Sequence, residues 1–281
     1  MILEVLEFGF MQRALIAGIA VSITSSVVGL FLVLRRNSLF GDALSHAAFG
    51  GIAIGLATNI YPLWTGLTLS ILGAVGITKL RQSTKIPADA TVAILLSSGL
   101  ALGILLISVS GGFTLDLFSF LFGSIMLVSI EDTLAILAMT GIILSIIILL
   151  YRQLLYITFD EEQARVSGLP ISKLNYLFII LASVAVIVSM RLVGILLVSS
   201  LLVIPNVTAL LFNKGFRKTA LISISISIFS VVTGIAISYS ANLAPAGTIV
   251  LVSTAAFLTV FVARYYSKKK QIVKKLEEAR S

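Results

Sequence analysis

The sequence predicts an all-α fold, a polytopic membrane helix bundle of about nine transmembrane spans, with the N-terminus outside and the C-terminus in the cytoplasm. Three observations carry the prediction. Of 281 residues, 58% are hydrophobic and only 11% charged, and the mean hydropathy is +1.12, far more apolar surface than a soluble core could bury. Long apolar runs alternate with clusters of Lys and Arg, the positive-inside pattern that sets orientation. Inside one of those runs sit an acid and the chain's only histidine, a combination that membranes keep where an ion or proton uses it.

Charge and composition exclude several function classes. The net charge of +8 (20 basic against 12 acidic residues) is spread over the connections between apolar runs and over the C-terminus, with no soluble domain on which a basic stripe could meet nucleic acid. The absence of cysteine removes disulfides and thiolate metal ligands, so any metal must meet nitrogen and oxygen. No phosphate-binding loop, metalloprotease helix or nucleophile elbow occurs, so ATP-driven work needs another chain. The plasma membrane is the expected location, with residues 1–266 as the membrane domain and 267–281 as a basic cytoplasmic tail able to rest on anionic lipid.

The first span runs from about Ala14 to Leu34 and ends at Arg35 and Arg36; the segment before it, with Glu4 and Glu7 where a signal peptide needs positive charge, reads as an interfacial helix. Span two covers about Phe40 to Leu56, and Trp64 anchors span three, about Leu63 to Ile77, which stops before Lys79, Arg81 and Lys85. Pro87 and Asp89 open span four, about Ala90 to Val109, as helix-start residues rather than ligands. After Gly111 and Gly112, the stretch 115–130 is too short to cross and is external or re-entrant. Span five is about Leu134 to Leu150 and span six about Leu174 to Met190, with Arg191 at an external turn of unassigned role. Span seven, about Leu192 to Phe212, carries Pro205, which frees a backbone carbonyl and bends the helix. Spans eight (about Ala220 to Tyr239) and nine (about Ile249 to Ala263) complete the set, the first holding a serine alternation that span length resolves as helix.

Two stretches carry chemistry. Asp42 and His46 are four residues apart, so a helix stacks them on one face, and Gly50 and Gly51 leave that side free of bulk for another helix. Either the pair is a metal-transit site, or it satisfies itself near the membrane face. In FDEEQARVSGLPISK, Asp160 can cap a short helix opened by Glu161 and Glu162 and stopped by Gly168 and Pro170, giving either a docking device or a plain connector.

The motifs LRRNSLFGDALSHAAFGGIAIG, FDEEQARVSGLP and LLVIPNVTALL, in this order and across nearly the whole chain, resemble those of the permease subunits of bacterial metal-ion ABC importers. The resemblance implies a dimer of permease chains, cytoplasmic ATP-binding subunits and an extracellular metal-binding lipoprotein. It places the metal ligands on Asp42 and His46 and the ATPase-docking helix on Glu161 to Gly168, and leaves the role of Asn206 open. No permanent cofactor is implied; the cargo is a divalent ion, with zinc preferred over manganese or iron on the doubled arginine, FDEE and GLP. A stand-alone proton or metal transporter and a substrate-free scaffold are the competing readings. One imidazole and one carboxylate are too few ligands for a dehydrated divalent ion, so two copies meeting along the Gly50 and Gly51 side would complete the site.

Overall fold

The computed structural model describes residues 8–83, 86–109, 115–123, 128–195 and 197–278. Among them, eight helices are long and apolar enough to cross a membrane, and one shorter apolar helix stands in the place of the seventh expected span. In chain order all the described helices are α1 (Gly9–Leu34), α2 (Phe40–Thr58), α3 (Pro62–Ser83), α4 (Ala88–Val109), the short α5 (Leu115–Phe122), α6 (Ile130–Leu149), α7 (Tyr151–Phe159), α8 (Glu161–Val166), α9 (Ile171–Val193), α10 (Val198–Leu210), α11 (Phe216–Ala241) and α12 (Pro245–Glu278). Most of the expected interfacial segment, Gly111 and Gly112, and part of 115–130 lie outside the described residues.

The helix ends follow local chemistry. Ser129 and Asp132 form a reciprocal capping box, Ser129 Oγ accepting from the Asp132 N–H at 3.0 Å while Asp132 Oδ2 accepts from the Ser129 N–H. That cap starts α6 at Ile130, a turn earlier than apolar content alone suggests. Asp89 stands in the first turn of α4, as a helix-start residue should. α12 continues without interruption to Glu278, so the basic tail is an extension of the last span rather than a separate surface helix.

The seventh span departs most from expectation. α10 has 13 residues and is about 20 Å long, short of a bilayer core. Ahead of it the chain leaves helical geometry at Gly194, whose φ of 72° is left-handed, and Ile195 donates its N–H to Phe120 O at 2.9 Å. Gly123 (φ 71°) lies back to back with this break, and a Cβ on either glycine would collide with backbone of the other strand of chain. α5 is therefore an inserted helix that covers and satisfies the broken backbone, as non-helical chain at membrane depth requires.

α2 is the most enclosed of the short spans. Gly51 abuts Gly66 on α3, Gly50 abuts the Gly99 carbonyl on α4, and a Cβ on Gly99 would lie 2.6 Å from His46 O. The glycines do admit close helices, but these are the chain's own α3 and α4. The expected contact with a second copy along Gly50 and Gly51 is thus corrected: that side is already filled by the chain's own α3 and α4.

Pro205 sits inside α10 and is buried. Beside it Asn206, fully buried, donates from Nδ2 to Leu202 O (2.8 Å) and accepts from Ser223 Oγ (2.7 Å), with Gly29 leaving room on the α1 side. Asn206 is an interhelical pin joining α10 to α11.

Candidate metal centre and docking loop

Depth follows from one hydrogen bond. Ser70 Oγ, on α3, donates to Leu44 O at 3.2 Å. Ser70 is eight residues from the start of α3 and thirteen from its end, about 12 Å and 20 Å along the axis. Asp42 and His46 flank Leu44 by half a turn each, so they sit inside the bundle, about 15 Å and 9 Å from the level at which α3 starts, rather than at the Arg35 end. α2 accordingly begins well inside the bundle, after the turn 35–39, as the broken helices of transporters do.

The pair does not satisfy itself. His46 Nε2 lies 3.9 Å from Asp42 Oδ1, beyond a hydrogen bond. His46 Nδ1 is buried with no partner among the described residues, an orphan that costs about 1–3 kcal/mol. Asp42 keeps 27% of its side-chain exposure and His46 12%, so both retain access while being mostly dehydrated. Ser199, in the first turn of α10, donates to Asp42 Oδ1 at a long 3.4 Å and puts a third oxygen at the site. Nothing in the sequence signals Ser199, which is 157 residues from Asp42.

Chemically, the centre offers one carboxylate, one imidazole and one hydroxyl. Among the described residues no three His, Cys, Asp or Glu side chains gather anywhere in the chain. The donors suit a borderline or hard divalent ion, and a single copy leaves that ion short of ligands.

The segment 160–170 has the geometry its residues specify. Asp160 Oδ1 accepts from the Gln163 N–H at 2.9 Å as N-cap of α8, Glu161 and Glu162 fill its first turn, and Gly168 ends it at φ 79° while Leu169 donates back to Ala164 O. Ala164, Ile157, Ile171 and Leu174 bury the inner side of α8 against α7 and α9. Phe159 and Val166 are left exposed, at 65% and 88%. An anchored helix with apolar residues in the open is suited to receiving a partner.

The fold defines a polytopic helical membrane protein. The model of the ABC 3 transport family matches residues 7–264, and the chain belongs to that family as a multi-pass membrane permease. It is 33% identical over 273 residues to the manganese transport system membrane protein MntC of Listeria innocua, covering 95% of this chain and 97% of that one. It is 35% identical over 267 residues to the manganese import system permease protein ScaB of Streptococcus gordonii, covering 94% and 96%. Among solved structures it matches PsaBC from Streptococcus pneumoniae, there in complex with Fab, at 34% identity and TM-score 0.84, covering 93% of this chain and 95% of that chain.

Proposed function

We propose that the chain is the permease of an ATP-driven importer for a divalent metal ion, and that Asp42 and His46 carry the ion at mid-membrane. The observation that carries the reading is a buried imidazole with an unpartnered Nδ1 whose Nε2 lies 3.9 Å from the Asp42 carboxylate, too far to bond it. The metal is manganese rather than the zinc that the motifs first favoured. Support comes from the names of the relatives, two of them manganese transport proteins; the carboxylate, hydroxyl and imidazole donors accept manganese without favouring zinc.

Two copies complete the ligand set. The partner copy contributes a second carboxylate and imidazole, reaching the pair through the exposure that Asp42 and His46 retain. Paired carboxylates offset the charge of the ion, and the lack of thiolates keeps binding weak enough for release. Asp160, Glu161, Glu162 and Gly168 shape the helix that docks on a separate ATP-hydrolysing subunit, and an extracellular metal-binding lipoprotein delivers the ion to the Trp64 end. The N-terminus is then outside and the C-terminus in the cytoplasm, with the basic extension of α12 beside anionic lipid headgroups.

The test is ATP hydrolysis by the reconstituted complex across several divalent ions. Manganese should stimulate it most, and His46→Ala should abolish stimulation without releasing the ATPase. Metal uptake by the purified permease alone, driven by an ion gradient, would instead establish a secondary transporter.

A further inference from the structure

We infer that Arg35 is the positioning residue that ties the docking segment α7–α8 to the turn from which α2, and with it Asp42, is hung; the inference rests on the importer reading above. Arg35 caps α1 and begins the five-residue turn 35–39. Its Nε donates to Thr158 Oγ1 on α7 at 3.0 Å, and its Nη1 donates to Asn175 Oδ1 on α9 at 3.0 Å. The guanidinium lies over the Phe178 ring, 4.4 Å from its centroid. One planar fork therefore holds three elements: the α1–α2 turn, the segment leading into α8, and the first turns of α9. The next residue, Arg36, has φ 56°, so the turn it anchors bends sharply at a non-glycine position.

The fork is incomplete. Nη2 is buried with no hydrogen-bond partner among the described residues. Burial lowers the Arg35 pKa from its usual value to about 10, and only the Glu161 carboxylate pulls the other way. Glu161 faces Arg35 across a cavity of about 440 Å³ that Arg36, Asn37, Arg81 and Asn175 also line. Its carboxylate is 3.7 Å from the exposed Arg165 on its own helix, a pair that solvent makes weak. Glu161 thus has a better partner waiting. When a partner chain seats on α8, Glu161 exchanges Arg165 for the unfilled Nη2 of Arg35, and the shift of α7–α8 passes through the fork to the base of α2. Arg35 touches no metal; it acts through Asp42.

The experiment uses the complete complex of permease and its ATP-hydrolysing partner in lipid nanodiscs. It measures manganese bound per complex, basal ATP hydrolysis and its stimulation by manganese. Arg35→Gln should keep bound manganese and basal hydrolysis but lose roughly tenfold in stimulation, the usual size of coupling between sites. Glu161→Gln should reproduce that loss, and Arg35→Lys, which keeps the charge but not the fork, should recover part of it. Should Arg35→Gln fail to assemble, Thr158→Val with Asn175→Ala decides, because it removes two contacts while leaving the guanidinium on Phe178. Loss of bound manganese in that double variant makes Arg35 a folding residue and overturns the inference. Wild-type stimulation matched by Arg35→Gln overturns the inference alone; no stimulation in the wild type overturns the importer reading and the inference with it.

Discussion

Gly99→Ala puts one methyl group between the helix that carries the site and the helix behind it. A Cβ there meets His46 O at 2.6 Å and Ala47 N at 2.7 Å, where ordinary contact begins at 3.4 Å, so α4 and α2 must part by about 0.8 Å, the difference between 3.4 and 2.6. The atoms met are backbone and cannot swing aside. Overpacking of this kind costs about 1–3 kcal/mol, and an apparent Tm lowered by roughly 2–10 °C follows from the usual enthalpy of unfolding for a chain of this size. Function should suffer more than stability, because metal ligands tolerate displacements of only about 0.2 Å. The assay is thermal unfolding of the purified protein together with manganese titration of the complex. Gly76→Ala is the control, since a Cβ there meets nothing within 4 Å. Unchanged Tm and unchanged manganese affinity in Gly99→Ala would refute the packing argument for how His46 is held.

Asp42→Asn keeps the shape of the site but removes the charge, so manganese stimulation of ATP hydrolysis should disappear while the permease still co-purifies with the ATPase. Gly168→Ala has space for its methyl group but not the backbone preference, so the end of α8 should be strained by about 1 kcal/mol, weakening ATPase co-purification at unchanged manganese binding. Asn206→Leu strands the Ser223 hydroxyl in the interior and should destabilise the chain by about 1–3 kcal/mol in denaturant titration. Single cysteines placed at Lys79, Arg152 or Lys214 of this cysteine-free chain should resist membrane-impermeant thiol reagents in intact cells; labelling of any one from outside would reverse the orientation.

Much of the architecture is legible in the sequence because hydropathy and charge act locally. Asp160 capping α8, Gly168 ending it and Asp89 opening α4 are interactions within a few residues, which sequence spacing reports well. The break at Gly194 is not legible. The backbone just after it is satisfied by Phe120, about 75 residues earlier, and no apolar pattern records such a partner. Separation hides Ser199 from Asp42, 157 residues away, and Ser223, 17 residues from Asn206, lies on the next helix, where spacing alone does not pair them. The glycines do mark places of close approach, but a glycine face does not say which helix fills it. Sequence alone assigns Gly50 and Gly51 to a second copy, whereas α3 and α4 reach them first because short connections make sequence neighbours pack. Arg35 reads only as the basic end of a span, and its burial against Phe178 is a tertiary fact.

The shared site is tested most directly in a tandem fusion of two permease copies joined in one chain, assembled with the ATPase and assayed for manganese transport with His46→Ala in one copy only. If both copies build one ion site, transport falls nearly to the level of the doubly substituted tandem. Near-half activity would mean that each copy carries its own independent site, and the mechanism proposed for Asp42 and His46 would fall.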